Sequence, residues 1–350
     1  MQGIQSTGEQ AESNVQREIL IAACRRLRIL STLPFGKVPI WNQCVTTLAA
    51  KDGRIQRVLE LLRQAPGHDL VLITGGERVD LFYLALAALC PWIHTPHVIV
   101  DAHWQKGKGI QHTLQRLLLR VGRRLTAQVQ PHSVEEEKIY NQLFGIPRDK
   151  LRAIPWSTSL TGHDVAPARA DEEGDFVLTG GFSFRDYGPL FEAIAGADLM
   201  LRVGVPAGLR TSALEEQWKG VPSIEFHTGW SNAQFIRQMA GCRFFVMPIA
   251  EGLTRSTADQ TILNAMYFGK IVIATNSIGP RIYIRNGVSG FLVPHNTPDA
   301  WRTAINDVLN LSEAERQRIS RAAQQAARVE FGEEQRLFRT LAAAIDVARH

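Results

Sequence analysis

Cysteine is scarce. Cys24, Cys44, Cys90 and Cys242 are the four in 350 residues, and they stand far apart with no C-x-x-C pair. This argues against a disulfide-stapled scaffold and a zinc ribbon, and for reduced thiols in a cytosolic compartment. Long apolar runs are missing as well. The most apolar stretch, "VDLFYLALAALCPWI" (79–93), is too short to span a bilayer and is broken by Pro91. It reads as a buried helix. The polar, acidic start "MQGIQSTGEQAESNVQRE" has no signal-peptide pattern. No Asp-x-Asp triplet of the kind that chelates a nucleotide-bound cation occurs, so no metal and no other cofactor is expected. No segment is low-complexity, and no aromatic-basic strand signature accompanies the formal net charge of +5. The charge favours acidic partners, but nucleic acid is not expected among them.

What is present is alternation. Strand-like runs at "LRILSTL" (27–33), "DLVLITGG" (69–76), "HVIVDAHW" (97–104), "AQVQPHS" (127–133) and "KLRAIPW" (150–156) are separated by helical patterns. Continuous Val/Ile/Leu strands between helices predict a parallel sheet covered on both faces. The pattern pauses over the polar stretch 157–174. It restarts at "FVLTGGFSF" with further strands at "LMLRVGV", "SIEFHT", "RFFVMPI" and "IVIAT". A final helical stretch fills 313–349. The expected organisation is an N-terminal extension (1–26), a Rossmann-like domain (27–156), a linker (157–174), a second Rossmann-like domain (175–330) and a C-terminal helix (331–350), with a cleft between the domains.

Four constellations carry chemistry. In "EGLTRSTADQTILNAMYFGKIVIATN" (251–276), Ser256 with Asp259 fits a capping box that starts a helix at Ser256. Thr257, Thr261 and Asn264 then share one polar face at the positive end of the helix dipole, which suits a phosphate or diphosphate. In "LTGGFSFRDYGPL", a strand runs into Gly180-Gly181, which let backbone approach a ligand, and Arg185 follows as a phosphate clamp. In "VIVDAHWQKGKG", Asp101 and His103 end a strand of the first domain. The helix from Gly109 to Leu125 carries an apolar stripe (Ile110, Leu114, Leu117, Leu118, Val121, Leu125) beside Arg116, Arg120, Arg123 and Arg124, with Lys106 and Lys108 just before it. That pattern fits either a sheet-covering helix with a solvated basic face or a helix lying on an anionic membrane through 106–124. His132, His227 and the tryptophans 41, 104, 156 and 230 are further landmarks, each equally explained by packing.

The stretch "ILNAMYFGKIVIATNSIGPRIYIRNGVSGFLVPHNTPDAW" resembles the "LEAMA-GKPVIAT…G…I-NG-NGLLVP-GDPEAL" segment of retaining glycosyltransferases of the GT-B fold, family 4 (glycosyl transferases group 1). "EEEKIYNQLFGIPRDKLRAIPW" and "FVLTGGFSFRDYGPLFEAI" are similar to the passages that flank that family's linker. The resemblance covers about 97–310 in order.

It implies an α/β GT-B fold with a nucleotide-sugar donor held by the second domain. Gly180, Gly181 and Arg185 would face the diphosphate. Ser256, Thr257, Gln260 and Thr261 would hold diphosphate and sugar at the helix start, and Asn264 would reach the ribose. His103, with Asp101, would face the donor sugar from the first domain, which would also take a glycan or lipid-linked acceptor. The implied activity is retaining sugar transfer in cell-envelope polysaccharide synthesis, in the cytoplasm or at the inner membrane face. Two departures stand against the family pattern. Asn264 and Ser256 occupy positions where the family usually has glutamates, and Asp186 follows Arg185 where a lysine is frequent. They leave open an alternative, a weakly active or inactive paralogue serving as a partner subunit.

Overall fold

A computed structural model describes residues 15–33, 35, 39–48, 53–107, 109–160, 174–181, 183–205 and 212–348. Lys108, the first fourteen residues of the expected N-terminal extension and residues 161–173 of the expected linker lie outside them. The chain divides into two compact units, one comprising Met1–Pro155 and Glu334–His350, the other Trp156–Glu333.

The first unit holds a parallel five-stranded sheet built from β1 (Ile29–Ser31), β2 (Val45–Thr47), β3 (Leu70–Thr74), β4 (His97–Val100) and β5 (Thr126–Val129), in the order β2-β1-β3-β4-β5. Its central strands β3 and β4 are buried along almost their whole length, as a sheet covered on both sides requires. Val71 and Ile73 join one core with Tyr83 and Leu84, whereas Leu70 and Leu72 join another with Trp41, Leu337 and Leu341. The alternation follows the two-residue period of a strand.

The second unit holds a parallel six-stranded sheet built from β6 (Phe176–Gly180), β7 (Met200–Val205), β8 (Ile224–Thr228), β9 (Phe244–Met247), β10 (Val272–Thr275) and β11 (Phe291–Val293), in the order β11-β10-β9-β6-β7-β8. Leu178, Phe245 and Val272 pack with Ile262 and Met266 of the helix Asp259–Tyr267. Val177, Val203 and Val246 pack on the other face with Phe191, Trp301 and Ile305. Each sheet reverses its strand order once, between β1 and β3 and between β6 and β9. Open parallel sheets bind ligands beyond the strand C-termini at such switch points.

Four expectations change. "KLRAIPW" forms no strand, only a bridge from Leu151 to Val129. Arg152 N–H and Ile154 N–H do bond to the carbonyls of Val129 and Pro131, but Pro155 has no N–H to continue the ladder. The short β2 and the helix Pro39–Cys44 before it were not expected. The C-terminal helical stretch is two helices, Glu313–Gln325 and Glu333–Ala348, around a π-helical turn at Ala326–Glu330, and the last helix packs in the first unit. The helix Ile110–Gly122 buries Leu119 and Gly122, while Ile110, Leu114 and Leu117 are 84%, 54% and 54% exposed. Its rotation follows from Gly122, where an added Cβ would lie 2.8 Å from Leu84 Cγ, so the helix Arg78–Leu89 docks against the glycine face.

Candidate functional site

The second unit presents its candidate residues at the C-terminal edge of its sheet. β6 ends at Gly180, and Gly181 takes a left-handed φ of 93°. The chain then turns through Phe184, at φ 59°, and Arg185 forms an antiparallel bridge with Ile249 beyond β9. Arg185 therefore sits at the switch point between β6 and β9. It is half-buried and pinned: Nη1–H donates to Ser183 O at 2.7 Å and Nε–H to Gly180 O at 3.4 Å. A Cβ on Gly181 would lie 2.9 Å from Nη2, so the glycine gives the guanidinium its seat. Gly180 has a different reason to be glycine, because the space of its missing side chain is filled by the Phe235 ring. Burial pushes the Arg185 pKa below its ordinary value, opposed by Tyr187 and by the charge of Asp259. Asp259 opens the helix that the sequence placed at the donor site.

That helix does not start at Ser256. It starts at Asp259, with Ala258 before it in the left-handed region at φ 68° and no side-chain cap. The Ser256–Asp259 capping box is not formed, and Thr257 shares no helix face with Thr261 and Asn264. The reason lies in Gly279, at the start of the helix Ile278–Tyr283. A Cβ there would meet Thr257 O at 2.5 Å and Thr257 N at 3.0 Å, so the Ser256–Thr257 backbone is drawn inward and both residues are buried. Gly279→Ala is expected to cost about 1–3 kcal/mol, the usual penalty of overpacking against backbone. Urea denaturation checks it, and an unchanged midpoint would mean that the loop is not held by this contact.

Gln260 is exposed and Thr261 half-buried in the first turn of the helix. Asn264 is buried and engaged with the segment that opens the unit. Its Oδ1 accepts from Thr158 Oγ1 at 2.8 Å and Ser159 N–H at 3.1 Å, and its Nδ2 donates to Ser159 Oγ at 3.0 Å. Two further features at this edge were missed. Arg255 lies 5.0 Å over the Phe184 ring. Asn296 joins Glu251 to Asp186, its N–H donating to Glu251 Oε1 at 3.0 Å and its Nδ2 to Asp186 Oδ2 at 2.8 Å. Of the landmarks named from the sequence, His227 within β8 and Trp230 just after it stack with ring centroids 4.1 Å apart.

In the first unit, Asp101 and His103 follow β4. Asp101 is buried and takes a left-handed φ of 55°, rare for a residue with a side chain. Its carboxylate pairs with Arg336 from the last helix, and His132 Nε2 lies 3.8 Å away. Burial alone would raise its pKa; the Arg336 charge and the contacts with His132 and Arg336 outweigh that and hold it well below the usual carboxylate range. The backbone carbonyl of Asp101 accepts the Nδ1–H of His103 at 2.8 Å, which makes Nε2 the lone-pair nitrogen of the neutral ring. His103 also stacks on His132, with centroids 5.5 Å apart. Asp101 and His103 thus stand together with His132, a landmark named from the sequence, and with Arg336, which the sequence reading did not single out.

His103 opens on a cavity of about 440 Å³ lined by Gly75, Gly76, Arg78, Phe82, Trp104 and Lys106, among others. Gly75 admits Ala102, whose Cα would lie 2.7 Å from a Cβ there, and its carbonyl accepts Trp104 Nε1–H at 2.7 Å. Trp41 and Trp104 are buried, while Trp156 and Trp230 are half-buried. Among the described residues no group of three or more His, Cys, Asp or Glu side chains is placed to hold a metal ion.

The family model described as glycosyl transferases group 1 matches residues 191–311. A crystal structure of a glycosyltransferase from Rickettsia africae ESF-5 superposes with a TM-score of 0.66 at 14% identity, covering 95% of each chain. Anabaena Alr3699/HepE, solved in complex with UDP and glucose, superposes with a TM-score of 0.65 at 17% identity, covering 93% of this chain and 95% of its own. The apo form of the lipopolysaccharide outer core galactosyltransferase WaaB superposes with a TM-score of 0.59 at 13% identity, covering 87% of this chain and 84% of its own. No curated protein matches the chain. The fold is GT-B, and residues 191–311 match the glycosyl transferases group 1 model. In this GT-B chain the matched segment includes the helix with Gln260, Thr261 and Asn264. It begins six residues after Arg185 and leaves out the whole first unit, so the match does not extend to Arg185, Asp101 or His103.

Proposed function

We propose that the protein transfers a sugar, with retention, from a nucleotide-sugar donor to a glycan or lipid-linked acceptor of the cell envelope. The observation that carries this reading is Arg185, seated by Gly181 at the switch point of the second unit's sheet, where a parallel sheet takes its ligand. There the guanidinium can offer paired N–H donors to a diphosphate and offset the charge that develops on it as the sugar leaves. We assign Gly181, Gln260 and Thr261 to the approach of the donor; Ser256 and Thr257, being buried, act by holding the loop. The complex of Anabaena Alr3699/HepE with UDP-glucose supports a donor of this class.

The first unit supplies the acceptor side. We assign His103 Nε2 the positioning of the sugar or the relay of a proton, with Asp101 as the residue that orients it through its carbonyl. The cavity beside His103 mixes Phe82, Leu114 and Leu118 with Arg78 and Lys106, a lining suited to an amphipathic, anionic acceptor. No described helix is long and apolar enough to cross a membrane, and we assign peripheral contact with an anionic membrane to 106–124. Neither metal nor other cofactor enters the proposal.

Thermal stabilisation by UDP, GDP, ADP, CMP and dTDP tests the donor site. A ligand at a hundred times its Kd adds about 2.7 kcal/mol of stability. One nucleotide is expected to raise the midpoint well above the others. No shift with any at millimolar concentration would favour the second reading, a partner subunit without turnover. That reading has one specific observation behind it: the Asn264 amide is committed to Thr158 and Ser159 rather than open to a ribose.

A further inference from the structure

The flank of helix Ile110–Gly122 away from His103 holds a second cavity, of about 500 Å³. It lies between that helix and the turn after the helix Val134–Phe144. Its cations are Arg116, Arg120, Arg123 and Lys150, and no carboxylate lines it. Leu119, Val129, Phe144 and Ile146 supply apolar lining. Among the described residues the three arginines make no ion pair. Their neighbour Arg124 behaves otherwise, spending its donors on the carbonyls of Ala88, Ile93 and Cys90. Lys150 is held at the cavity by donating to Thr126 O at 2.5 Å.

The same helix turns Ile110, Leu114 and Leu117 to solvent. They fall at i, i+4 and i+7 and make one continuous apolar row. Leu117 also lines the basic cavity, and Leu114 lines the cavity beside His103. The row is therefore the ridge between the two.

We propose that the basic cavity binds the phosphate-bearing headgroup of an anionic lipid while Ile110, Leu114 and Leu117 enter the bilayer beside it. The inference deepens the membrane contact proposed above and is independent of the donor site. Four cations without a carboxylate call for an anion, and the solvent-exposed apolar row beside them calls for one attached to hydrocarbon. A nucleic acid would satisfy the arginines but leave the apolar row in water, and Phe144, the aromatic of the lining, is buried in the core and offers its bases no platform.

Co-sedimentation with phosphatidylglycerol vesicles and with phosphatidylcholine vesicles tests the proposal. The wild-type chain is expected to bind the anionic vesicles preferentially. Arg116→Ala with Arg120→Ala should weaken that binding roughly thirtyfold, at about a factor of five per arginine near an anionic surface. Removing two exposed arginines elsewhere, Arg318→Ala with Arg321→Ala, serves as the charge-matched control and should change it little. Leu114→Ser with Leu117→Ser should weaken binding to both vesicle types. All these residues are exposed, and unchanged thermal midpoints would show that each variant is folded. Equal losses in the two arginine pairs would overturn the headgroup cavity and leave only diffuse charge attraction. No binding of wild type to anionic vesicles would overturn the membrane contact itself, while the nucleotide shifts would still report on the donor site.

Discussion

Arg336→Ala is expected to lower the stability of the chain by about 3–5 kcal/mol, the cost of leaving a buried carboxylate without its partner. Asp101 is almost fully buried, and its carboxylate is held by Arg336, with His132 at 3.8 Å. Arg336 is itself buried in the last helix, so neither charge can reach water when the other is deleted. Asp101→Asn with Arg336→Met should recover part of the loss, because removing both charges also removes their desolvation cost. The pH dependence carries a sign. The folded pKa of Asp101 lies below its ordinary value of 3.8. The pair therefore contributes stability at neutral pH and above the ordinary carboxylate pKa, and loses it as pH falls from there toward the folded value. Chemical denaturation at pH 7 and at pH 3 should show a smaller gap between wild type and Arg336→Ala at the lower pH. An equal gap at both would mean that the pair is not what the arginine contributes. Because the Asp101 carbonyl orients His103, the same variant should lose turnover beyond its loss of fold, read as kcat at a temperature where it remains folded.

How legible this arrangement was in the sequence depends on distance along the chain. The strands "DLVLITGG", "HVIVDAHW" and "IVIAT" announced themselves, since a parallel strand buried on both faces is a local run of Val, Ile and Leu. Gly180-Gly181 with Arg185 was legible for a related reason, because a strand, its turn and the next helix lie within a dozen residues. Arg336 was not. It lies 235 positions from Asp101, on a helix whose periodicity says only that one face is buried. Asp80 was hidden in the apolar run "VDLFYLALAAL". It is buried and accepts from Thr32 Oγ1 at 2.7 Å and Thr74 N–H at 3.0 Å, tying the ends of β1 and β3 together at the first unit's switch point. The helix start at Ser256 failed for a different reason. Ser-x-x-Asp is a true local preference, but the close approach at Gly279 is a tertiary contact and it outweighs a cap worth about 1 kcal/mol. The apolar stripe of Ile110–Gly122 shows the complementary limit. Periodicity reports that leucines share a face, and only the neighbouring helix decides which face is turned inward.

Arg185→Ala is expected to reduce kcat roughly a hundred- to a thousandfold, the scale seen when one preorganised charge-stabilising donor is removed from an active site. The argument is about orientation. A flexible surface arginine would lose entropy in gripping a diphosphate, but this one is already held by Ser183 O and Gly180 O and seated against Gly181. Arg185→Lys should retain part of the activity, since it keeps the charge and loses the planar fork. Gly181→Ala should act in the same direction without touching the charge. Its φ of 93° strains any side chain, and the new Cβ would press on Nη2 at 2.9 Å. A loss of turnover in both Arg185→Ala and Gly181→Ala, with nucleotide stabilisation weakened more in the first, is the result expected from steady-state kinetics and thermal shift together. Turnover within threefold of wild type in Arg185→Ala would remove the arginine from the chemistry and transfer the diphosphate to the start of the helix Asp259–Tyr267. There Asp259 would oppose it, so Asp259→Asn would then be the variant expected to tighten binding.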